Sequence, residues 1–181
     1  MSHEEESRTI ARAANGDRMA MHSLVEKHNR AIYGLAYNML RRAEDAEDVT
    51  QEVFLRAWKT FPKWRPDAKL STWLHTVTLN LCYDHLRKKR PALMAEPPEM
   101  QDTALRPDAS LAQQQTQIAV RAAIAELAPR QCAALTLTSL QGHSNKEAAN
   151  IMEIKLEALE SLLARARRNL KKHLAPLKET L

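Results

Sequence analysis

The segment from Asp45 to Trp58 constrains the fold of this chain most, because its side chains divide between two faces at the spacing of an α-helix. One face is apolar, with the period of about 3.6 residues that turns a helix stripe towards a core. Its members are Ala46, Val49, Val53, Phe54, Ala57 and Trp58. The opposite face carries Asp48, Gln51, Glu52 and Leu55. A leucine among acidic side chains is typical of a surface that binds a basic partner helix, whereas the alternative is a solvated face with one exposed leucine.

Composition predicts helices nearly throughout. The 181 residues include three glycines, few β-branched clusters, and abundant alanine, leucine, glutamate, arginine and lysine. With 44% apolar residues the chain can bury a core, and its length suits one or two small domains. The net charge of +5 is compatible with a polyanionic partner. We therefore predict an all-α protein.

The cysteines and the N-terminus indicate a cytoplasmic protein. Cys82 and Cys132 lie far apart in the sequence and form no framework of the kind that staples small secreted domains. The first residues, MSHEEES, are acidic and precede no apolar segment of the signal-peptide type. No stretch approaches the roughly 18 apolar residues of a membrane span.

A second unusual face is predicted on a helix from Trp73 to about Arg90, with Ser71 or Thr72 as its cap. Thr76, Asn80, Tyr83 and Arg87 follow one another at four, three and four residues, and the helix ends in the basic run Arg87, Lys88, Lys89 and Arg90. Cations for phosphates, amides for base edges and a ring for stacking are what single-stranded nucleic acid requires. Trp64, in a basic loop between two prolines, is a further candidate for stacking, whereas Trp58 and Trp73 are expected in the core.

A metal site is the alternative for this helix, since His75, Cys82 and His85 share a broad face. A structural zinc site needs a fourth ligand, and no CxxC or HxxxH motif stands nearby to supply it. We therefore interpret Cys82 as a small buried apolar residue and predict neither a metal nor a cofactor. No nucleophile–base pair or phosphate loop is evident either, and so no catalytic residue is predicted.

Prolines and acidic residues divide the chain into two domains. The first domain spans residues 1–90 and contains a long helix, Arg18–Arg42, capped by Asp17 and packed against the Asp45–Trp58 segment. Residues 91–107 contain Pro91, Pro97, Pro98 and Pro107 and are expected to be a flexible acidic linker. The second domain covers residues 108–181. Few contacts are expected to cross between the domains.

The second domain is predicted to end in a helix-turn-helix unit. Helices are expected at 108–127 and 130–140, and Gly142 ends the second of them. Ser144 and Glu147 match a capping box that opens a short helix, and a longer helix follows from Leu156 to about His173. Such a second helix enters the DNA major groove. The apolar seam of this longer helix is predicted to be Leu159, Leu163, Ala166 and Leu170. The side chains away from the seam form the groove-facing set: Lys155, Glu157, Ala158, Ser161, Arg165 and Arg168. Glu160 and Leu162 lie at the margins of this set.

Three blocks together resemble the extracytoplasmic-function (ECF) group of bacterial sigma-70-type sigma factors. They are DAEDVTQEVFLRAW, STWLHTVTLNLCYDHLRKKR, and LAPRQCAALTLTSLQGHSNKEAANIMEI followed by ALESLLARARR. The blocks occur in the order, and with the proline-rich spacer, that the family has, and the resemblance covers residues 18–174. It implies a region-two domain, a linker, and a region-four domain of the winged-helix-like superfamily.

The resemblance implies a role for each block. The first domain would bind the clamp helices of the largest polymerase subunit through Asp48, Gln51, Glu52 and Leu55, and the second would meet the flap of the second-largest subunit. Trp64, Asn80, Tyr83, Arg87 and Lys88 would hold the melted minus-ten element, with an extruded base at the Trp64–Ser71 loop. The groove-facing set would read the minus-thirty-five element as duplex. An anti-sigma factor, membrane-bound or soluble in the cytoplasm, would control a stress or envelope response; no small-molecule substrate is implied.

The sequence departs from the family in three places. Many members have a basic residue where this chain has Thr76, and basic residues are frequent where it has Glu160 and Leu162. A glutamate repels phosphate unless it accepts from a cytosine amino group. One alternative is therefore a sigma-like decoy that binds an anti-sigma protein and never supports transcription. Another is a general basic nucleic-acid-binding protein, which would leave the acidic face unexplained.

Overall fold

The computed structural model describes residues 3–65, 69–89, 120 and 122–178, and all regular structure within these residues is helical. The α-helices are α1 (His3–Ala14), α2 (Arg18–Leu40), α3 (Ala43–Thr60), α4 (Leu70–Lys89), α5 (Pro129–Leu135), α6 (Asn145–Ile151) and α7 (Leu156–Lys178). A 3-10 turn (Phe61–Lys63) follows α3, and a π-helical turn (Thr136–Leu140) continues α5. The all-α fold class is confirmed.

The long helix α2 forms the centre of the first domain. As predicted, Asp17 caps it: the carboxylate accepts hydrogen bonds from the backbone N–H groups of Met19 at 2.9 Å and Ala20 at 3.1 Å. Its buried face packs on α1, α3 and α4. His28 lies in that apolar face, and its Nε2 is 3.0 Å from the Glu6 carboxylate of α1. A buried polar pair therefore fixes α1 against α2.

Helix α3 packs as its sequence predicts. Ala46, Val49, Val53, Phe54 and Ala57 are buried, and Trp58 is half-buried against the same core. At its start, the Asp45 carboxylate accepts a hydrogen bond of 2.7 Å from Lys89 at the end of α4. The opposite ends of the two helices are thereby joined.

The predicted cap of α4 is wrong. The helix begins at Leu70, so Ser71 and Thr72 lie inside its first turn rather than before it. Their backbone carbonyl oxygens contact side chains one turn further along the helix. The Ser71 oxygen lies 2.6 Å from Nδ1 of His75, and the Thr72 oxygen accepts from the Thr76 hydroxyl at 3.1 Å. Leu70 itself is buried, and the helix therefore begins three residues earlier than predicted.

The second domain contains the predicted helix-turn-helix unit. Ser144 and Glu147 form the capping box: the Ser144 hydroxyl accepts from the Glu147 N–H at 3.2 Å, and the Glu147 carboxylate accepts from the Ser144 N–H at 3.1 Å. Glu153, with φ 53°, makes the turn between α6 and α7. Along α7, Leu159, Leu163 and Ala166 are buried and Leu170 is half-buried, which confirms the predicted seam.

The helix before this unit is only partly described. Of the predicted helix at 108–127, residues 120 and 122–125 are helical and residues 108–119 lie outside the described residues, as does the predicted linker at 91–107. The predicted 130–140 helix is an α-helix followed by the π-helical turn, in which the Gln141 N–H reaches back to the Thr136 carbonyl at 2.9 Å. Gly142 follows with φ 75° and ends the helix as predicted.

Contacts between the two domains are more extensive than the sequence predicts. Helix α2 packs against α5 and the π-helical turn, and α4 packs against α6. Among the helices that the structure describes, none combines the length and the apolar content that crossing a bilayer requires.

Candidate nucleic-acid interface and docking surface

The docking surface, defined as Asp48, Gln51, Glu52 and Leu55, lies on the outer face of α3. Asp48, Gln51 and Leu55 are exposed and Glu52 is half-buried. Leu55 is 44% exposed, and few other large apolar side chains of the described residues are exposed (Met19, Leu140 and Leu156). Glu52 forms an ion pair of 2.7 Å with Arg56 one turn later, and both side chains remain accessible. The surface offers a carboxylate pair and an apolar side chain together, as a basic amphipathic helix requires.

The polar line of α4 is divided between solvent and the second domain. Asn80, Arg87 and Lys88 are exposed, and Arg87 pairs with Asp84 at 2.9 Å. Thr76 is half-buried, and its hydroxyl lies 3.0 Å from the carbonyl oxygen of Ile151 at the end of α6. Asn80, Arg87 and Lys88 are therefore open to a ligand, whereas Thr76 is partly covered by the second domain.

Tyr83 lies at the covered side of this line. Its ring is half-buried, and its hydroxyl is buried beside Arg130 at the start of α5. Burial raises the pKa of the phenol, and the charge of Arg130 and a hydrogen bond to it oppose that shift.

Trp64 is held by other aromatic rings. It stands edge-on to Trp73 with ring centroids 5.9 Å apart, and edge-on to Phe61 at 6.4 Å. Its indole N–H is buried and has no hydrogen-bond acceptor among the described residues. The half-buried ring borders the loop that the sequence predicts to receive a base, of which residues 66–68 lie outside the described part of the chain.

The groove-facing set of α7 lies on the side of the helix away from its seam. All six members are exposed: Lys155, Glu157, Ala158, Ser161, Arg165 and Arg168. Glu160 is exposed as well, whereas Leu162 is half-buried and packs against the core. Leu162 therefore serves packing more than DNA contact.

A chain of polar side chains, which the sequence did not indicate, links α4 to the second domain. His75 Nε2 lies 3.0 Å from Oε1 of Gln141, and Nε2 of Gln141 donates to the Ala31 carbonyl of α2 at 2.6 Å. The His143 ring stands edge-on to His75 with centroids 4.9 Å apart. Nothing in the spacing of these residues marks them, because each comes from a different segment of the chain.

Burial affects the pKa of each histidine in this region. Burial lowers the pKa of His75, with the Ser71 carbonyl and Gln141 opposing the shift. Burial likewise lowers the pKa of His28, against the opposing effect of Glu6, and that of His143, against Glu147. All three imidazoles are therefore harder to protonate in the folded chain than in the unfolded one.

The three side chains considered as metal ligands do not share one environment. His75 contacts Ser71 and Gln141, whereas His85 Nε2 lies 3.3 Å from the Asp45 carboxylate. Cys82 is fully buried, and burial raises the pKa of its thiol to about 12. Within the described ranges, no group of three or more histidine, cysteine or acidic side chains is arranged to hold a metal ion.

Arg41 is a further residue that sequence reasoning missed. It ends α2 with φ 65°, in the left-handed region. Its guanidinium donates to the Ile124 carbonyl at 2.8 Å and lies 3.5 Å from the Cys132 sulfur. The Cys132 thiol in turn donates to the Asn38 carbonyl of α2 at 3.1 Å. Burial lowers the pKa of Arg41, which marks a cation largely removed from water.

Comparison with protein families finds two matches. Residues 24–92 match the model for sigma-70 region 2, and residues 117–170 match a model for sigma-70 region 4. The chain is 34% identical to the ECF RNA polymerase sigma factor SigM of Mycobacterium tuberculosis over 161 residues, covering 89% of this chain and 80% of that one. It is 30% identical to the RNA polymerase sigma-H factor of Pseudomonas aeruginosa over 188 residues, covering 98% and 97%.

Two solved structures have a similar fold. CnrH, in complex with the cytosolic domain of CnrY, matches with a TM-score of 0.69 and 24% identity over 94% of this chain and 97% of that one. The sigma factor RpoE of Bartonella quintana, in complex with the anti-sigma factor NepR, matches with a TM-score of 0.66 and 24% identity over 85% and 96%.

The lowered histidine pKa values predict that the folded chain loses stability in mild acid. As the pH falls through about 6.5, the unfolded chain takes up protons on these histidines before the folded chain does. Their contribution is therefore complete above that pH and declines below it. Glu6, whose pKa is lowered by Lys27 and His28 against the effect of burial, adds a loss only below about pH 4.5. Thermal midpoints measured from about pH 8 to about pH 5 should fall mainly below 6.5.

The variant His75→Gln should show a smaller fall over that range, whereas His22→Gln, at an exposed histidine of α2, should behave as the wild type does. A thermal midpoint that stays constant across the range would contradict this prediction.

Proposed function

The chain belongs to the ECF group of RNA polymerase sigma factors, and we propose that it binds core RNA polymerase through the docking surface of α3 and promoter DNA through α4 and α7. As a member of that family it directs transcription initiation and is not an enzyme.

The polymerase assignment rests on the exposure of Leu55. This side chain lies one helical turn after Gln51 and Glu52, and the opposite face of the helix packs in the core. An exposed apolar side chain beside carboxylates suits a basic partner helix, because interfaces combine an apolar anchor with a polar rim. Asp48 and Glu52 suit a basic partner, and the clamp helices of the largest subunit are the partner we propose. The flap of the second-largest subunit is proposed to contact the second domain.

The minus-ten assignment rests on chemistry and exposure together. Arg87 and Lys88 are exposed cations at the end of α4 and suit the phosphates of a single strand. Asn80, one to two turns earlier, is exposed and able to hydrogen-bond a base edge. Tyr83 and Trp64 are proposed to stack on or receive bases, and the Trp64 indole N–H is buried without an acceptor among the described residues, which leaves it a donor for a bound strand.

The minus-thirty-five assignment rests on α7. Its groove-facing set is exposed, and the helix-turn-helix geometry of α6 and α7 suits entry into a major groove. Arg165 and Arg168 are proposed to contact phosphate or base edges, while Glu160 is proposed to accept from a cytosine amino group.

Control by an anti-sigma factor is proposed for this chain as well. The structural relative RpoE of Bartonella quintana is in complex with the anti-sigma factor NepR. The proposed anti-sigma factor is either membrane-bound or soluble in the cytoplasm. Either form suits a sigma factor that acts in the cytoplasm on a stress or envelope response. Binding of an anti-sigma protein without support of transcription would instead identify a decoy.

Reversing one charge tests the docking surface. Glu52→Lys should abolish co-purification with core RNA polymerase and run-off transcription, because it replaces attraction to a basic helix with repulsion. It should leave the thermal midpoint nearly unchanged, since losing one exposed i,i+4 pair costs about 0.5 kcal/mol or less. Glu26→Lys, at an exposed position of α2, is the matched control and should support wild-type transcription. Transcription by Glu52→Lys at the wild-type level would refute the assignment.

The salt dependence of duplex binding tests α7. Arg165→Ala and Arg168→Ala should each weaken binding to promoter duplex and reduce the slope of log affinity against log salt by about 0.9 for each lost phosphate contact. Arg8→Ala, at an exposed arginine of α1, should change neither quantity. Glu160→Gln should relax base preference at one position if Glu160 reads a cytosine, and should tighten binding to all sequences if it only repels phosphate. Unchanged salt slopes for both arginine variants would remove α7 from the DNA interface.

A further inference from the structure

We propose that Asp45 limits the number of phosphates that the end of α4 binds: its carboxylate holds Lys89 against α3, so that of the cations at 87–89 only Arg87 and Lys88 meet a DNA strand. This inference rests on the proposed role of α4 in binding a melted strand, and it assigns different roles to two neighbouring lysines. Asp45 is a positioning residue, because it acts on the strand only through Lys89.

The last turn of α4 divides its cations between two directions. Arg87 and Lys88 are exposed, whereas Lys89 is half-buried and its Nζ donates to Oδ2 of Asp45 at 2.7 Å. Nε2 of His85, one turn before Lys89, lies 3.3 Å from the same carboxylate. Side chains four residues apart lie on one face of a helix. His85 and Lys89 therefore face α3, while the other two cations face solvent.

The position of Asp45 strengthens its contact with Lys89. Asp45 lies in the first turn of α3, where the helix dipole favours a carboxylate. Its side chain is 14% exposed, so salt screens this contact less than it screens a pair on the surface. Burial raises the pKa of Asp45, but the hydrogen bond from Lys89 and the charges of the neighbouring basic side chains lower it, and the net shift is downward. The carboxylate is therefore charged at neutral pH.

Arg87 also has an acidic neighbour, but that pair is weaker. Arg87 and Asp84 lie 2.9 Å apart on one helix, with side chains 78% and 53% exposed. Exposed pairs contribute little to stability, so a DNA phosphate displaces Asp84 from Arg87. The pair between Lys89 and Asp45 joins two helices and is shielded. It resists the same exchange, because the carboxylate would lose a hydrogen bond that compensates for its burial.

Removing the carboxylate releases Lys89 from α3. Nε of Arg42 also lies 3.9 Å from Asp45, so three basic side chains converge on one negative charge. Without that charge, Arg42 and Lys89 repel one another. The flexible four-carbon stem of lysine lets the amine of Lys89 move to the solvent side, beside Lys88. Lys89 then becomes available to a strand together with the two cations that already face it.

Withholding one cation has a consequence for recognition. Phosphate contacts strengthen binding to every sequence, whereas sequence is read at base edges. By keeping Lys89 from the strand, Asp45 lowers the affinity of α4 for single strands in general. A larger share of the binding free energy then comes from side chains that reach base edges, such as the exposed Asn80.

Salt titrations measure the number of phosphate contacts. The full-length proteins are titrated on a labelled oligo-dT strand of about 16 nucleotides, where each contact adds about 0.7 to the slope of log affinity against log salt. Asp45→Asn should steepen the slope by about 0.7 and tighten binding. Lys89→Gln, alone or combined with Asp45→Asn, should have the wild-type slope. Arg87→Gln and Lys88→Gln should each make the slope shallower by about 0.7.

Glu44→Gln is the matched control for Asp45→Asn. Glu44 precedes Asp45 in the first turn of α3, is exposed, and forms its described ion pair with Arg42 at 3.3 Å. The control removes the same charge from the same helix end and leaves the contact between Asp45 and Lys89 in place. Its slope should equal that of the wild type, so that a steeper slope in Asp45→Asn reports the release of Lys89.

Amine reactivity gives a second readout that requires no DNA. The folded proteins are acetylated briefly, and the modified lysines are identified by mass spectrometry. In the wild type, Lys89 should react more slowly than Lys88, because the contact with Asp45 and partial burial shield its amine. Asp45→Asn should abolish this difference, and Glu44→Gln should preserve it. Lys89→Gln and Lys88→Gln make the same exchange at adjacent positions, so their slopes test the proposal without any change at Asp45.

A slope that becomes as shallow in Lys89→Gln as in Lys88→Gln would overturn the proposal, because Lys89 would then contact a phosphate. So would an unchanged slope in Asp45→Asn, or an equal steepening in Glu44→Gln. The proposed role of α4 fails on a different result: unchanged slopes in both Arg87→Gln and Lys88→Gln, or no strand binding by the wild type at any salt concentration.

Discussion

The packing of α2 and α4 against the second domain is the interaction on which the arrangement of the two domains depends. One of its polar contacts comes from the guanidinium of Arg41. It leaves the end of α2 in a left-handed conformation and donates to the backbone of the second domain at Ile124, beside Cys132. A buried cation is costly in free energy unless hydrogen bonds compensate for lost water. Here a carbonyl and a thiol do so only in part.

The packing between the two domains distinguishes two kinds of surface on this chain. The docking surface on α3 and the groove-facing set on α7 point to solvent and are ready for partners. The polar line on α4 is divided, with Asn80 open and Thr76 bonded to Ile151. Under the proposed function these surfaces serve successive steps, in which polymerase and duplex DNA are met before a strand is melted. The face that is covered is the one proposed for the last of these steps.

Regular features of the sequence predicted most of the fold. The apolar stripe of α3, the Asp17 cap and the Ser144–Glu147 capping box depend on residues within a few positions of one another. Such local patterns are visible in the sequence itself. The sequence predicts the start of α4 three residues late, at Trp73 rather than Leu70, because Ser71 and Thr72 look like caps although Leu70 is buried before them. The contacts of Gln141, Arg41 and Glu6 with distant residues have no local signature. Each joins segments tens of residues apart, and only the tertiary arrangement reveals them.

The most direct test is the distance between the two domains in the free chain and in the initiation complex. Spin labels at Lys59→Cys on α3 and Lys172→Cys on α7 occupy exposed positions, while the native thiols of Cys82 and Cys132 are buried. Double electron–electron resonance should give one narrow distance in the free chain, and a longer distance once core polymerase and promoter DNA are added. A broad distribution in the free chain would contradict the packing of α2 and α4 against the second domain, and an unchanged narrow distance in the complex would contradict the proposed binding of a melted strand by α4.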